Sequence, residues 1–168
     1  MALERFHSPS LGLLDFQRVV GRLTSFVRAH DVGHYRLIIG TDSLPSIDGH
    51  VQLVSAIVFH RIGRGGIYFW QRTRHEHVVT LRDRMYREAL QSLALAKRLR
   101  EHPQLQPLVG SLIEVHVDIG ENGPTRQMIA EIVGMVTASG FTVRTKPDAY
   151  AASKVADRHT APVYALAD

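Results

Sequence analysis

Two apolar runs in this chain each end on an aspartate. Leu37-Ile38-Ile39-Gly40-Thr41 runs into Asp42, and Leu112-Ile113-Glu114-Val115-His116-Val117 runs into Asp118. Runs of this length and content read as core strands. An unpaired carboxylate at the end of a core strand is costly to desolvate. A divalent cation removes that cost by supplying the counter-charge. Topology is constrained as well, because one ion serves both aspartates only if the two strand ends lie side by side.

The hydrophobic period changes along the chain. Tyr35–Thr41, Val51–His60 and Ile67–Thr73 read as strands. A turn over Leu44–His50, holding Pro45, Asp48 and Gly49, separates the first two, and Gly63-Arg64-Gly65-Gly66 links the second and third as a hairpin. From Leu81 onward helices and strands alternate. A long helix over Leu81–Arg100 is built of strong helix formers and ended by Pro103 and Pro107. Leu112–Val117 is the fourth strand. A helix starting at Pro124 carries Met128, Ile129, Ile132, Val133 and Val136 on its apolar face and stops at Gly140. Phe141–Thr145 is a fifth strand, and Asp148 could cap a last helix reaching about His159. Upstream, Leu13, Phe16, Val19, Val20, Leu23, Phe26 and Val27 recur at helical spacing over residues 13–29, behind the breakers Pro9 and Ser10.

The expected architecture is α/β: a mixed five-stranded sheet whose first three strands form an antiparallel meander, with helices on both faces. An N-terminal helical extension over about residues 10–30 packs on the domain's own sheet, and residues 1–168 make one domain. If strand four lies parallel beside strand one, Asp42 and Asp118 meet at the carboxyl ends, where open sheets leave a crevice for ligands.

A chain of 168 residues with 45% hydrophobic and 21% charged content can bury a sizeable core. Without cysteine, disulfides and thiolate metal sites are excluded, which is compatible with a reducing compartment. The opening Met1-Ala2-Leu3-Glu4-Arg5-Phe6-His7 lacks the layout of a secretory signal, and no apolar stretch approaches the roughly 18 residues of a membrane span. A soluble, cytoplasmic protein without a membrane partner is expected. Residues 61–100 carry ten Arg or Lys against three acids, and nearly all the basic residues of the chain are Arg. That bias suits bidentate phosphate contacts, so nucleic acid is the expected partner.

Glu88 falls between Leu95 and the Leu81/Leu99 pair on the long helix, at the edge of the buried stripe, with Asp83, Arg84, Arg87, Gln91 and Arg98 on the polar side. It either points towards the sheet as a metal ligand or makes a rim ion pair with Arg84, four residues away. Asp157 shares a helical face with Lys154 and Tyr150. It is preferred as a ligand over Asp148, which has a sufficient structural role as a cap. His116 shares the strand face of Glu114 and Asp118 and reads as a core histidine with a backbone partner. His75 and His77 have chelating spacing but sit in a loop-like segment. Thr41 and Ser43 lack the His/Asp partners of a nucleophile.

Taken together, Ile39-Gly40-Thr41-Asp42-Ser43, Leu81-Arg82-Asp83-Arg84, Glu88-Ala89, His116-Val117-Asp118-Ile119-Gly120, Lys146-Pro147, Ala151-Ala152-Ser153 and Val155-Ala156-Asp157-Arg158-His159-Thr160 resemble the YkuK-type bacterial family of the ribonuclease H-like superfamily. The resemblance spans roughly residues 35–160. One departure is Leu44 after Thr41-Asp42-Ser43, where that family usually has Gln. The resemblance implies a ribonuclease H-like fold with its acidic set at Asp42, Glu88, Asp118 and Asp157.

The activity it implies is phosphodiester hydrolysis of RNA, DNA or a hybrid with two Mg²⁺ or Mn²⁺ ions, which all-oxygen ligation favours over zinc. In that reading Asp42 and Asp118 are central ligands and Glu88 and Asp157 flank them. Lys146 or His159 would orient the water or the scissile phosphate. The alternatives are a ribonuclease H-like module that binds nucleic acid or protein without cutting, and a nucleotide binder, for which Asp118-Ile119-Gly120-Glu121-Asn122-Gly123 is the only phosphate-loop-like segment. Substrate type and oligomeric state stay open at this level.

Overall fold

The computed structural model describes residues 4–30, 34–45, 50–75, 78, 80–120, 126–149, 154–155 and 158–159. Three long strands, β3 (Tyr35–Pro45), β4 (Val51–Arg61) and β5 (Gly65–His75), form the expected antiparallel meander. Two parallel strands, β6 (Ile113–His116) and β7 (Thr142–Arg144), extend it on the β3 side. A hairpin of β1 (Phe6–Ser8) and β2 (Gly12–Leu14) extends it beyond β5. Among the described residues the sheet therefore has seven strands, in the order β2-β1-β5-β4-β3-β6-β7, rather than five.

The extra hairpin corrects the N-terminal helix. Pro9 and Ser10 lie in the turn of the hairpin, and Gly12 takes a positive φ of 71°. Leu13 and Leu14 are strand residues, so α1 begins only at Phe16 and runs to Arg28. Asp15 caps it by accepting a 2.8 Å hydrogen bond from the Arg18 amide. The hydrophobic repeat starts a turn before the helix does, because Leu13 precedes Phe16 at helical spacing.

Helix α2 spans Leu81–Glu101, capped by the Thr80 hydroxyl on the Asp83 amide at 3.0 Å. A four-residue helix, α3 (Gln106–Val109), follows the prolines, and α4 (Ile129–Ala138) follows a single 3₁₀ turn. Alternate residues of the central strands point to opposite faces. Leu37 and Ile39 of β3, Ile57 and Phe59 of β4, Phe69 of β5 and Ile113 and Val115 of β6, with Val117 just past it, form one core face. Val19, Val20 and Leu23 of α1, Met85, Ala89, Leu93, Ala96 and Leu99 of α2, Val109 of α3 and Ile132 and Val136 of α4 are buried with them. Phe6 and Leu14 of the hairpin belong to the same core, so the N-terminal segment is integral to the domain.

The opposite face bears Asp42, His116, Asp118, Trp70 and Arg72. Lys154–Val155 and Arg158–His159 are helical, and His159 packs on Trp70 there. Helices thus lie on both faces.

Three expected boundaries shift. Asp42 does not close its strand: β3 continues to Pro45, with Asp42 paired to Val54. The ladder of β6 stops at His116, two residues before Asp118. β3 also runs through Leu44 to Pro45, two residues into the expected turn over Leu44–His50, while residues 46–49 lie outside the described residues. Gly63 and Gly65 take positive φ in the β4–β5 hairpin, and at Gly66 a Cβ would stand 2.2 Å from the Phe59 carbonyl oxygen. Glycine is therefore required by the space at that position.

Candidate metal centre

The parallel pairing of β3 with β6 brings the Asp42 and Asp118 segments side by side. Gly40 of β3 and His116 of β6 are partners in a parallel pair. Asp118 lies two residues past the end of β6, where the Ile119 amide donates back to the Val117 carbonyl at 2.9 Å, and Asp42 lies two residues on from Gly40 within β3. Ser43, the next residue of β3, points to the opposite face, towards α2.

Glu88 approaches from α2, on the Ser43 side of β3. Only 2% of it is exposed. Its carboxylate accepts a hydrogen bond from the Ser43 hydroxyl. Arg84 does not pair directly with Glu88 as the four-residue spacing suggested. It reaches Ser43 instead, donating from Nε to the hydroxyl at 3.0 Å and from Nη2 to the carbonyl at 3.3 Å. Burial is the main cause that pushes the Glu88 carboxyl up to about 8, and the charges of Asp42 and Asp118 push the same way; the Ser43 hydrogen bond and the Arg84 guanidinium oppose them. Three acids distant in sequence are thus within electrostatic reach of one another.

Asp118 is held by Lys146, whose ammonium lies 2.6 Å from Oδ1. That atom is buried and has no hydrogen bond of acceptable angle, so the contact is an ion pair rather than an aligned hydrogen bond. Lys146 follows β7, and its amide donates to the Ile119 carbonyl at 2.9 Å, which fixes it beside the Asp118 segment.

Along the same face of β6, Glu114 and His116 form a separate network. Arg36 grips Glu114 with Nε at 2.8 Å from Oε1 and Nη2 at 2.5 Å from Oε2, and Arg144 Nε stands 3.6 Å from Oε2. Burial raises the Glu114 pKa, but the Arg36 and His116 hydrogen bonds and the two guanidinium charges outweigh it and hold the group below the usual carboxylate range. His116 Nε2 lies 3.3 Å from Glu114 Oε2. Its side-chain partner is therefore a carboxylate, not the backbone. Burial lowers the His116 pKa and keeps the ring neutral, against the pull of Glu114.

His159 lies apart from the acids. Its ring stacks on Trp70 at 4.1 Å and 15°, and its carbonyl accepts from Arg72 Nη2 at 2.5 Å. Burial, and then the charges of Arg72, Arg158 and His7, lower its pKa. His7 stacks on the same indole at 4.2 Å. Asp157, like Glu76 and His77, lies outside the described residues. An open hollow of about 530 Å³ sits elsewhere, between β2 and α1, lined by Leu11, Leu14, Arg18, Gly21, Arg22 and Ser25. No carboxylate lines it.

Much of the basic stretch is engaged internally. Arg82 pairs with Glu131 at 2.8 Å and Arg98 with Glu4 at 2.5 Å, while Arg100 donates to the Ser139 and Gly140 carbonyls. Counting charge along the sequence therefore overstated the cation available to a ligand.

Asp42, Asp118 and the desolvated Glu88 are oxygen donors of the kind a hard divalent cation takes, and the two aspartates lie within electrostatic reach of Glu88. As placed, no three His, Asp or Glu side chains among the described residues lie close enough to share an ion. The carboxylates are engaged by protein groups: Ser43 on Glu88, Lys146 on Asp118.

Sequence reasoning missed the roles of Ser43, Arg36 and Glu114. Ser43 was weighed only as a nucleophile. The signal that could have found it is strand parity, which puts it on the α2 side of β3.

Comparison with known proteins agrees with this fold. A family model described as ribonuclease H-like matches residues 18–161. A protein of Bacillus subtilis (strain 168) named "Uncharacterized protein YkuK" is 31% identical over 169 residues, covering 92% of this chain and 96% of that protein. No solved structure matches the chain significantly. Matched over most of its length by both, the chain belongs to the YkuK-type family of ribonuclease H-like proteins.

Proposed function

We propose that this protein is a metal-dependent nuclease hydrolysing phosphodiester bonds of RNA or DNA, with Asp42, Glu88, Asp118 and Asp157 holding two Mg²⁺ or Mn²⁺ ions. The observation that carries the reading is Glu88: a buried carboxylate raised to about 8 beside two further carboxylates, an arrangement that costs folding energy unless cations offset it.

When bound, such ions supply Lewis acidity, lowering the pKa of an attacking water and offsetting charge on the phosphate. The chain's own residues do the rest. Asp42 sits in β3 and Asp118 two residues past the end of the neighbouring β6, so the parallel pairing of the two strands holds their backbones close. Ser43 and Arg84 orient Glu88 from behind. The Lys146 side chain is more than half exposed, so its ammonium can leave Asp118 for a phosphate oxygen once cations neutralise the site. Arg72 supplies cation on the Asp42 face, two strands away in the same cross-strand row. Its role would be sequence-independent backbone contact.

The experiment is cleavage of RNA, DNA and hybrid substrates with and without Mn²⁺. Mn²⁺-dependent turnover in the wild type, lost at least about a hundredfold in Asp42→Asn, is the expected result. Salt-sensitive binding with no turnover in any metal would instead support a non-catalytic nucleic-acid-binding module. One contact favours that second reading: the Lys146 ammonium already neutralises Asp118 without any metal.

A further inference from the structure

We propose that Trp70 is a stacking platform for an unpaired base of single-stranded nucleic acid, and that His159 occupies it in the free protein. The proposal rests on nucleic acid as the partner and needs no metal. The indole of Trp70 is stacked with His7 at 4.2 Å and 12° and with His159 at 4.1 Å and 15°. Two parallel rings this close to one centroid would overlap if they shared a side, so the imidazoles cover opposite faces of the indole. His7 belongs to the sheet, as the cross-strand partner of Trp70. His159 comes from the far end of the chain.

The cluster is not core. Trp70 and Tyr68 are half-buried, and His7 and Arg72 are exposed. The Arg72 guanidinium stands 5.2 Å from the indole centroid and donates to the His159 carbonyl. An aromatic ring beside an exposed guanidinium suits a single strand, since a base stacks on the one while its phosphate meets the other. A flat nitrogen heterocycle held on that pair through its carbonyl oxygen imitates such a nucleotide. The imitation is imperfect, because Nε2 of His159 is buried and has no hydrogen-bond partner. A buried polar atom without a partner weakens the docked state, so a base can displace the ring. Duplex bases, stacked on one another, cannot reach the indole. Arg72 stands two strands from Asp42 in one cross-strand row, about 10 Å away at the usual strand spacing. A strand seated on Trp70 and Arg72 is therefore a short step from Asp42.

Trp70 is the chain's single tryptophan, so its emission reports the site directly. The test is titration of the full-length protein in EDTA with a labelled single strand of about ten nucleotides and with the duplex of the same sequence. The single strand should quench Trp70 emission and, by anisotropy of the label, bind more tightly than the duplex. Affinity for it should fall at least about fivefold in Trp70→Leu and hold within about twofold in Trp70→Phe, which keeps a stacking ring. His159→Ala empties the platform and should bind the single strand at least about threefold more tightly. Weaker or equal binding by His159→Ala overturns the proposal, because removing a merely structural histidine gains no affinity. Equal affinities for single strand and duplex, binding without quenching, or Trp70→Phe as weak as Trp70→Leu also overturn it and leave the nucleic-acid reading standing. Absence of binding to either form overturns both.

Discussion

Glu88 is the residue at which burial and charge conflict most openly. Its carboxyl titrates at about 8 in the fold, against 4.5 for an ordinary glutamate. Between those values the folded chain holds a proton that the unfolded chain has released. The stability linked to this group is therefore complete below about pH 4.5 and declines as pH rises towards 8. Glu88→Gln keeps the shape and an acceptor for the Ser43 hydroxyl but cannot ionise. Metal-free Glu88→Gln should match the wild type near pH 4.5 and exceed it at pH 9 by on the order of a few kcal/mol, as read by urea denaturation. Equal pH slopes for the two proteins would show that Glu88 is solvated or otherwise paired.

At the scale of elements, a seam of buried hydroxyls joins α2 to the sheet one turn beyond Glu88. Ser92 donates to Thr41 at 2.9 Å, and Thr41 meets Ser55 of β4 at 3.0 Å, all three being buried. Apolar packing alone would let a helix slide along its stripe; two directional bonds in series do not. Thr41→Val is nearly isosteric but strands the Ser92 and Ser55 hydroxyls. It should cost about 1–3 kcal/mol in chemical denaturation. Adding Ser92→Ala and Ser55→Ala should recover part of that loss, because no hydroxyl is then left unpaired. Full additivity of the three changes would show that the seam is not a connected unit.

For the molecule as a whole, the N-terminal hairpin decides where the domain begins. Phe6 is fully buried in the main core although it lies on a three-residue strand near the edge of the sheet. Phe6→Ala should destabilise the entire domain by about 3–5 kcal/mol in a single cooperative transition. A biphasic melt would make the hairpin an independent appendage. The same hairpin brings His7 onto Trp70, which also receives His159, so segments from both ends of the chain meet on one indole.

The antiparallel meander, the long amphipathic helix and the two parallel strands were legible in the chain, since period and turn residues are local signals. The hairpin was not, because a three-residue strand has too few residues to establish a period of two. What stands opposite each carboxylate could not be read along the chain either. Lys146 on Asp118, Ser43 between Arg84 and Glu88, and Arg36 on Glu114 are partners fixed by strand register and helix placement. Those are set by burying the apolar faces of all the elements at once. Sequence determined which elements form and which acids they carry; only the packed sheet decided which charges meet.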